Sequence, residues 1–310
     1  MSPVANVLIV GGSHAGLSAA LTLYRALHTS VIFDTREPRN HYSTPVRLTS
    51  TWENKPPEEM RDACRKELLE AGFTKFVDSR VKTIRKTAEG LFELTDDKGS
   101  KWLGHKVLLS YGARDVFPAI PGYSDVYARG VYPCMFQFGY EYRGSPSGGL
   151  LAVDSLANPE QAAILAKDGH RFADAMTIYT NGDVALAERL RGLLSDRKSI
   201  SVDTRKIVLL SRSESKPGVV IDFEDGSRHT ESFVVHRPLT AVDRTLPDQL
   251  GIEMSKMGEI QAMPPFYRTN VPGVYAAGDC ATPMKTIANA MTMGSYAACG
   301  LARELENVVA

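Results

Sequence analysis

An α/β fold is predicted for this chain: two doubly wound domains, each a parallel sheet followed by a β-meander. Three observations support it. The apolar run Val7-Leu8-Ile9-Val10 leads into a glycine-rich turn and then an Ala- and Leu-rich segment, the pattern of a buried parallel strand feeding a helix. A second strand–helix series begins at Gly149. Each series is followed by short strands around an Asp/Gly turn, Asp96-Asp97-Lys98-Gly99 in the first and Glu224-Asp225-Gly226-Ser227 in the second. The plan therefore reads as a duplication.

The first turn is Gly11-Gly12-Ser13-His14-Ala15-Gly16, a G-x-G-x-x-G pattern with Ser13 at the middle glycine. Serine is small enough for the backbone to approach a pyrophosphate, and a helix N-terminus stabilises its charge. The next strand, Ser30 to Phe33, ends in Asp34, at the distance where an acid accepts hydrogen bonds from ribose hydroxyls. Strand, turn, helix and acid together make the domain Rossmann-like. Pro56-Pro57 then starts a helix from Glu58 to Ala71, which Gly72 ends. Met60, Cys64, Leu68 and Ala71 share one face, so Cys64 reads as a core residue. Strands are expected at Phe76–Val81, Leu91–Leu94 and Lys106–Leu109, and Val107 to Ala113 returns to the first sheet.

Pro118 and Pro121-Gly122 break the chain after that return. The second series has strands at Gly149–Val153, Met176–Tyr179 and Val219–Phe223, with helices at Pro159–Phe172 and Val184–Leu194. Arg189 to Arg197 carries mixed charge and reads as a solvated face. Val274 to Cys280 is a buried strand, and a helix from Ile287 to Leu305 closes the protein. The expected domains are 1–113 with 246–310, and 114–245.

The 310 residues carry 36 Lys plus Arg against 36 Asp plus Glu. That balance offers no basic surplus for nucleic acid or an anionic membrane. No apolar run is long enough to span a bilayer, and the first strand starts within ten residues, leaving no room for a secretory signal. A cytoplasmic protein is expected. Cys64, Cys134, Cys280 and Cys299 form no C-x-x-C and no metal-ligand spacing, so no metal is expected and three of the four read as plain reduced thiols.

Val10 to Gly16, Leu108 to Ala113 and Gly273 to Asp279, in that order, resemble the three flavin-domain motifs of thioredoxin reductase-like flavoproteins. Pro38-Arg39-Asn40, Gly139-Tyr140-Glu141 and the stretch Ala277 to Lys285 are most similar to the branch containing fungal dithiol oxidases of gliotoxin-type secondary metabolism. The resemblance implies FAD, two nucleotide-type domains and a homodimer. By position it implies that Gly11, Ser13, Gly16 and Asp34 hold the ADP half of FAD, beside Gly12, His14 and Ala15. Arg39, Asn40, Val81, Gly112 and Ala113 would line it, and Gly278 and Asp279 would meet the ribityl chain. Thr286 and Ile287 would turn a helix N-terminus toward the flavin pyrimidine ring, where it stabilises the reduced anion.

Two parts of the family pattern are missing. The redox C-x-x-C is here Cys134-Met135-Phe136-Gln137. One thiol cannot form the internal disulfide that relays electrons. The resemblance implies that Gln137 replaces the flavin-proximal cysteine, where its amide can donate to or accept from flavin N5 and O4. The second domain should repeat a glycine-rich turn, but it reads Val153-Asp154-Ser155-Leu156-Ala157-Asn158-Pro159-Glu160. Asp154 and Glu160 oppose a pyrophosphate, and Tyr179-Thr180-Asn181-Gly182 offers no arginine pair for a 2′-phosphate. This domain is expected to keep its fold without NADPH.

The expected function is an FAD-dependent oxidase or dehydrogenase of a small organic molecule in fungal secondary metabolism. Substrate passes electrons directly to the flavin, and oxygen accepts them. The alternatives are a monothiol variant of a dithiol oxidoreductase using Cys134, and a non-catalytic or redox-neutral flavin protein. The candidate catalytic residues are Cys134, Gln137 and His14, the last as a proton-transfer group in the turn. His41, Tyr42 and Trp52 could line a pocket, Cys280 reads as packing, and Lys285 either touches flavin or substrate or is solvated.

Overall fold

The computed structural model describes residues 4–42, 45–214 and 217–305, without the Tyr42 side chain. It divides into two compact units, Met1–Arg114 with Ala241–Ala310, and Asp115–Thr240.

In the first unit, β1 (Ala5–Val10) is buried at every position and feeds α1 (His14–Arg25). The chain continues through β2 (Ser30–Phe33), α2 (Pro57–Ala71) and β3 (Thr74–Val77), then β4 (Val81–Lys86), β5 (Phe92–Asp96) and β6 (Lys101–Leu109). Strand order is β3-β2-β1-β6-β5-β4. β1, β2 and β3 are parallel, and β4, β5 and β6 form the antiparallel meander. β6 joins both parts: its Lys101–Gly104 half pairs β5, and Val107–Leu109 lies beside β1.

The single strand expected at Phe76–Val81 is two strands. Asp97 N donates to Arg80 O at 2.8 Å, and Ser79 N to Val77 O at 2.9 Å. These turn bonds break the ladder at residues 78–80, where the chain leaves the parallel edge for the meander. Apolar residues on both sides of the bend hide it from a periodicity reading.

The chain crosses out through β7 (Arg114–Val116). The second unit contains α3 (Tyr123–Val126), β8 (Val131–Tyr132), α4 (Met135–Phe138), β9 (Ser145–Leu151), α5 (Pro159–Gly169), β10 (Ala173–Tyr179), α6 (Val184–Leu193) and β11 (Ile200–Asp203). β12 (Ile207–Arg212), β13 (Val219–Phe223) and β14 (Arg228–Glu231) form its meander, followed by β15 (Val234–Val235) and β16 (Leu239–Ala241). The parallel sheet runs β11-β10-β9-β15-β8. β9 starts four residues before the expected Gly149, because Ser145-Pro146-Ser147 has no apolar signal yet Ser145 pairs with Ala173.

The return to the first unit comes at residues 240–241, ahead of the 245–246 expected from the sequence. α7 (Thr245–Leu250) follows, with Leu246 buried in the same cluster as Ile84. Gln249 accepts from Ile84 N at 2.7 Å and donates to Lys82 O at 3.1 Å, so α7 is latched to the edge strand β4. β17 (Val274–Ala276) adds to β6 in parallel, and α8 (Ile287–Arg303) closes the unit.

Candidate functional site

The carboxyl ends of β1, β2, β6 and β17 meet at one edge of the first unit, where open α/β sheets bind ligands. Gly11 N donates to Phe33 O at 2.9 Å. Gly11 has φ +112°, and a Cβ there would lie 2.3 Å from Ser110 O. A Cβ on Gly16 would lie 2.0 Å from Gly11 O, so α1 packs directly on the turn. Ser13 is the N-cap residue with extended backbone, and its hydroxyl makes no capping bond. The N–H groups of the first helical turn have no intrahelical acceptor, which leaves them for an anion.

Asp34 lies against Gly12 at the end of β2. Its carboxylate accepts from Arg36 N at 2.9 Å and lies 3.6 Å from Arg65 Nη1. A cavity of about 260 Å³ opens beside it, lined by Thr35, Glu37, Asp78, Ser79, Arg80 and Asp97. Arg39 Nε donates to Asp279 Oδ2 at 2.8 Å, joining residues 240 positions apart. Asn40 Oδ1 accepts from Arg61 Nη1 at 3.1 Å. The fold thus brings Gly12 against Asp34 and Arg39 against Asp279, while Asn40 is tied to α2.

Two residues here escape a sequence reading. Arg61 and Arg65 stand four apart on α2, beside the apolar face of Met60 and Leu68. Arg65 stacks 3.9 Å from the Phe76 ring centre, and its Nη1 is buried without a hydrogen bond. The i, i+4 arginine spacing was the only available signal; the strand end they reach is set by tertiary packing.

His14 opens α1 and is 7% exposed, and its Nε2 is buried without a hydrogen-bond partner. Burial, then the Arg61 charge, push its pKa down to about 4, against an opposing pull from Asp279. The imidazole is therefore neutral at pH 7. Its folded pKa lies below the ordinary 6.5, so its contribution to stability is complete above pH 6.5 and lost as pH falls toward 4. His236 is fully buried in the second unit and is pushed down to about 4 in the same way. Apoprotein stability is expected to fall across this window, by up to about 3 kcal/mol per histidine. Urea titrations at several pH values check it; a His14→Gln variant should lose the His14 share of the slope.

The remaining residues of the first unit divide clearly. Thr286 caps α8 by accepting from Asn289 N at 3.2 Å, so Thr286 and Ile287 do form a helix N-terminus. Gly112 and Ala113 are half-buried just after β6. The Val81 side chain belongs to the core. Cys280 is fully buried with its thiol pushed up to about 12, and Cys64 packs on the core with its thiol pushed up to about 11, both by burial. His41 is exposed and Trp52 half-buried near Lys55. Lys285 is not solvated: it is paired with Glu259 at 3.3 Å, with the two side chains 9% and 8% exposed.

In the second unit, Cys134 is the N-cap residue of α4 and Gln137 stands in its single turn. Gln137 N and Phe138 N both lie 3.3 Å from Cys134 O, and both candidate side chains are half-buried. All four cysteines are free. Residues 154–156 form a 3₁₀ turn whose Leu156 is fully buried among Ala162, Ala163 and Phe233. Asn158 Oδ1 accepts from Gln161 N at 2.9 Å, occupying a first-turn donor of α5. Asn181 Oδ1 accepts from Ile207 N at 2.8 Å, so it is committed to the fold. Among the described residues, no group of three or more His, Cys, Asp or Glu could hold a metal. Among the same residues, no helix is long and apolar enough to cross a membrane.

The pyridine nucleotide-disulphide oxidoreductase family model matches residues 5–138 and 159–294. The chain belongs to this family. Thioredoxin reductase aclD of Aspergillus oryzae is 38% identical over 307 residues, covering 98% of this chain and 97% of that protein. Thioredoxin reductase sirT of Leptosphaeria maculans is 35% identical, covering 96% and 93%. Among solved structures, a thioredoxin reductase TrxB of Bacillus anthracis, described as putative, superposes with TM-score 0.88 at 25% identity, covering 98% of this chain and 99% of that one.

The chain is a thioredoxin reductase-like, FAD-dependent oxidoreductase with two Rossmann-like domains. The residues present fit FAD. The turn has no room for a Cβ at Gly11 or Gly16, Asp34 ends β2 against Gly12, and His14 Nε2 is buried without a hydrogen-bond partner. The family match omits 139–158, the segment containing β9 and the turn filled by Leu156.

Proposed function

We propose that this flavoprotein oxidises a small organic molecule of fungal secondary metabolism, with electrons passing directly to FAD and oxygen as the final acceptor. The observation that supports this reading is Gln137 one turn from Cys134, where the family relay requires a second thiol. Bound FAD supplies a two-electron acceptor that oxygen can reoxidise. The N-terminus of α1 binds the pyrophosphate, Asp34 accepts from the ribose, and Asp279, released from Arg39, accepts from the ribityl hydroxyls. The N-terminus of α8 stabilises negative charge. His14, neutral with Nε2 free of a partner, holds or takes a proton, and the Gln137 amide orients flavin or substrate.

The test compares two variants on the true substrate. Cys134→Ser is expected to keep most activity. Gln137→Ala should lose more, since a buried hydrogen bond is worth about 1 kcal/mol, a fivefold change. Complete loss of flavin reduction in Cys134→Ser with FAD still bound would overturn direct transfer and favour the monothiol reading. Failure of every candidate substrate to bleach the flavin would favour a non-catalytic role. A thiol titration after denaturation should find all four cysteines free.

The same reading includes a cytoplasmic homodimer. Met284 and Tyr296, beside and on α8, are 68% and 50% exposed, apolar surface that a second copy could cover. Light scattering at micromolar concentration should give about twice the 33.9 kDa chain mass; a monomer contradicts it.

A further inference from the structure

The loop that leads into α8 is clamped from both ends. Lys285 Nζ donates to Thr282 O at 2.6 Å and lies 3.3 Å from Glu259 Oε1. Glu259 Oε2 accepts from Ser255 Oγ at 2.9 Å, and Ser255 N donates to Glu259 O at 2.7 Å, closing a tight turn. Ile260 N donates to Cys280 O at 2.7 Å, which ties that turn to the segment bearing Asp279. On the other side, Asn289 Nδ2 donates to Met284 O at 2.7 Å while Asn289 N bonds to the Thr286 cap.

A buried ion pair is a weak source of stability, because desolvating both charges offsets their attraction. Asn289, Thr286 and the backbone bonds already hold the loop. Two opposite charges lie side by side at the entrance to α8. Here Glu259 neutralises Lys285, so no net side-chain charge from this pair adds to the helix N-terminus.

We propose that the Lys285–Glu259 pair tunes the reduction potential of bound FAD by keeping the side-chain charge at the α8 N-terminus balanced. The proposal rests on the reading that this N-terminus faces the flavin pyrimidine ring. The reduced flavin is the more negative form, so an uncompensated cation nearby favours reduction and an uncompensated anion opposes it.

The test is the flavin midpoint potential of the holoprotein, measured by equilibration with a reference dye. Glu259→Gln leaves Lys285 unbalanced and should raise the potential. Lys285→Met leaves Glu259 unbalanced and should lower it. About tenfold in the reduction equilibrium is expected each way, which is about 30 mV for a two-electron couple. The Lys285→Met/Glu259→Gln double variant should return close to wild type. Where Lys285→Met fails to fold, Lys285→Gln, which can still donate to Thr282 O, reads the same sign. Shifts of the same direction, or unchanged potentials in FAD-bearing variants, overturn the proposal, because loosening the loop alone would move both variants the same way. A wild-type protein that binds no FAD would instead overturn the cofactor assignment, so the two failures are distinguishable.

Discussion

Gly16→Val protein is expected to purify colourless. The first atom of any side chain at this position would stand 2.0 Å from Gly11 O, with Ser110 Oγ 3.0 Å away. No rotamer relieves that contact, because the clash is with Cβ itself and the obstacle is backbone. The turn must open, which moves the first-turn N–H groups of α1, the proposed pyrophosphate donors, and costs at least the 1–3 kcal/mol typical of roughly one overpacked site. Circular dichroism should still report the α/β content of the second unit. Asp34→Ala is the milder companion. It removes charge-assisted hydrogen bonds to the ribose, worth about 1.5–3 kcal/mol, so FAD affinity should fall about tenfold to a hundredfold while the protein stays folded. Flavin absorbance per protein after gel filtration reads both. A yellow Gly16→Val protein with normal stoichiometry would overturn the cradle.

Anaerobic NADPH is expected to leave the flavin oxidised. The turn that would cradle its pyrophosphate holds Leu156, fully buried in the core of the second unit, and Asp154 with its negative charge. The donor that Gln161 N would offer is already spent on Asn158. The segment after β10 reads Thr180-Asn181-Gly182 and offers no arginine pair for a 2′-phosphate. Two missing charge-assisted contacts at about 1.5–3 kcal/mol each weaken binding about 10²- to 10⁴-fold before the charge of Asp154 is added. Stopped-flow mixing with stoichiometric NADPH should show no bleaching over minutes; rapid full reduction would sink this assignment. Leu156→Ala should destabilise the protein by about 2–5 kcal/mol rather than create a nucleotide site, because Leu156 is core.

Much of this was legible in the amino-acid order. The run Val7 to Val10 is buried at every position, as a parallel strand covered on both faces requires. Gly11 is confined by Ser110 from a distant strand end, whereas Gly16 packs on Gly11 within the same turn, a contact that spacing displays. The shift from Cys to Gln at residue 137 and the missing glycines at 153–158 were plain for the same reason. Periodicity failed at residues 78–80, where two strands meet at a bend, and at Ser145–Ser147, where a strand is built from small polar residues.

What the sequence by itself determined is the class of fold, the flavin cofactor and the absence of a second thiol at residue 137, since each is written in consecutive residues with a period or spacing. Only the tertiary structure decided that Arg39 meets Asp279 across 240 positions, and that Arg61 and Arg65 reach from α2 to Asn40 and to Asp34. Likewise it alone decided that His14 is neutral with a free nitrogen, and that Lys285 is buried on Glu259. The physical reason is common to all four. Charge state and partnership depend on burial and on which distant strand ends the parallel sheet brings together, and neither is a property of neighbours along the chain.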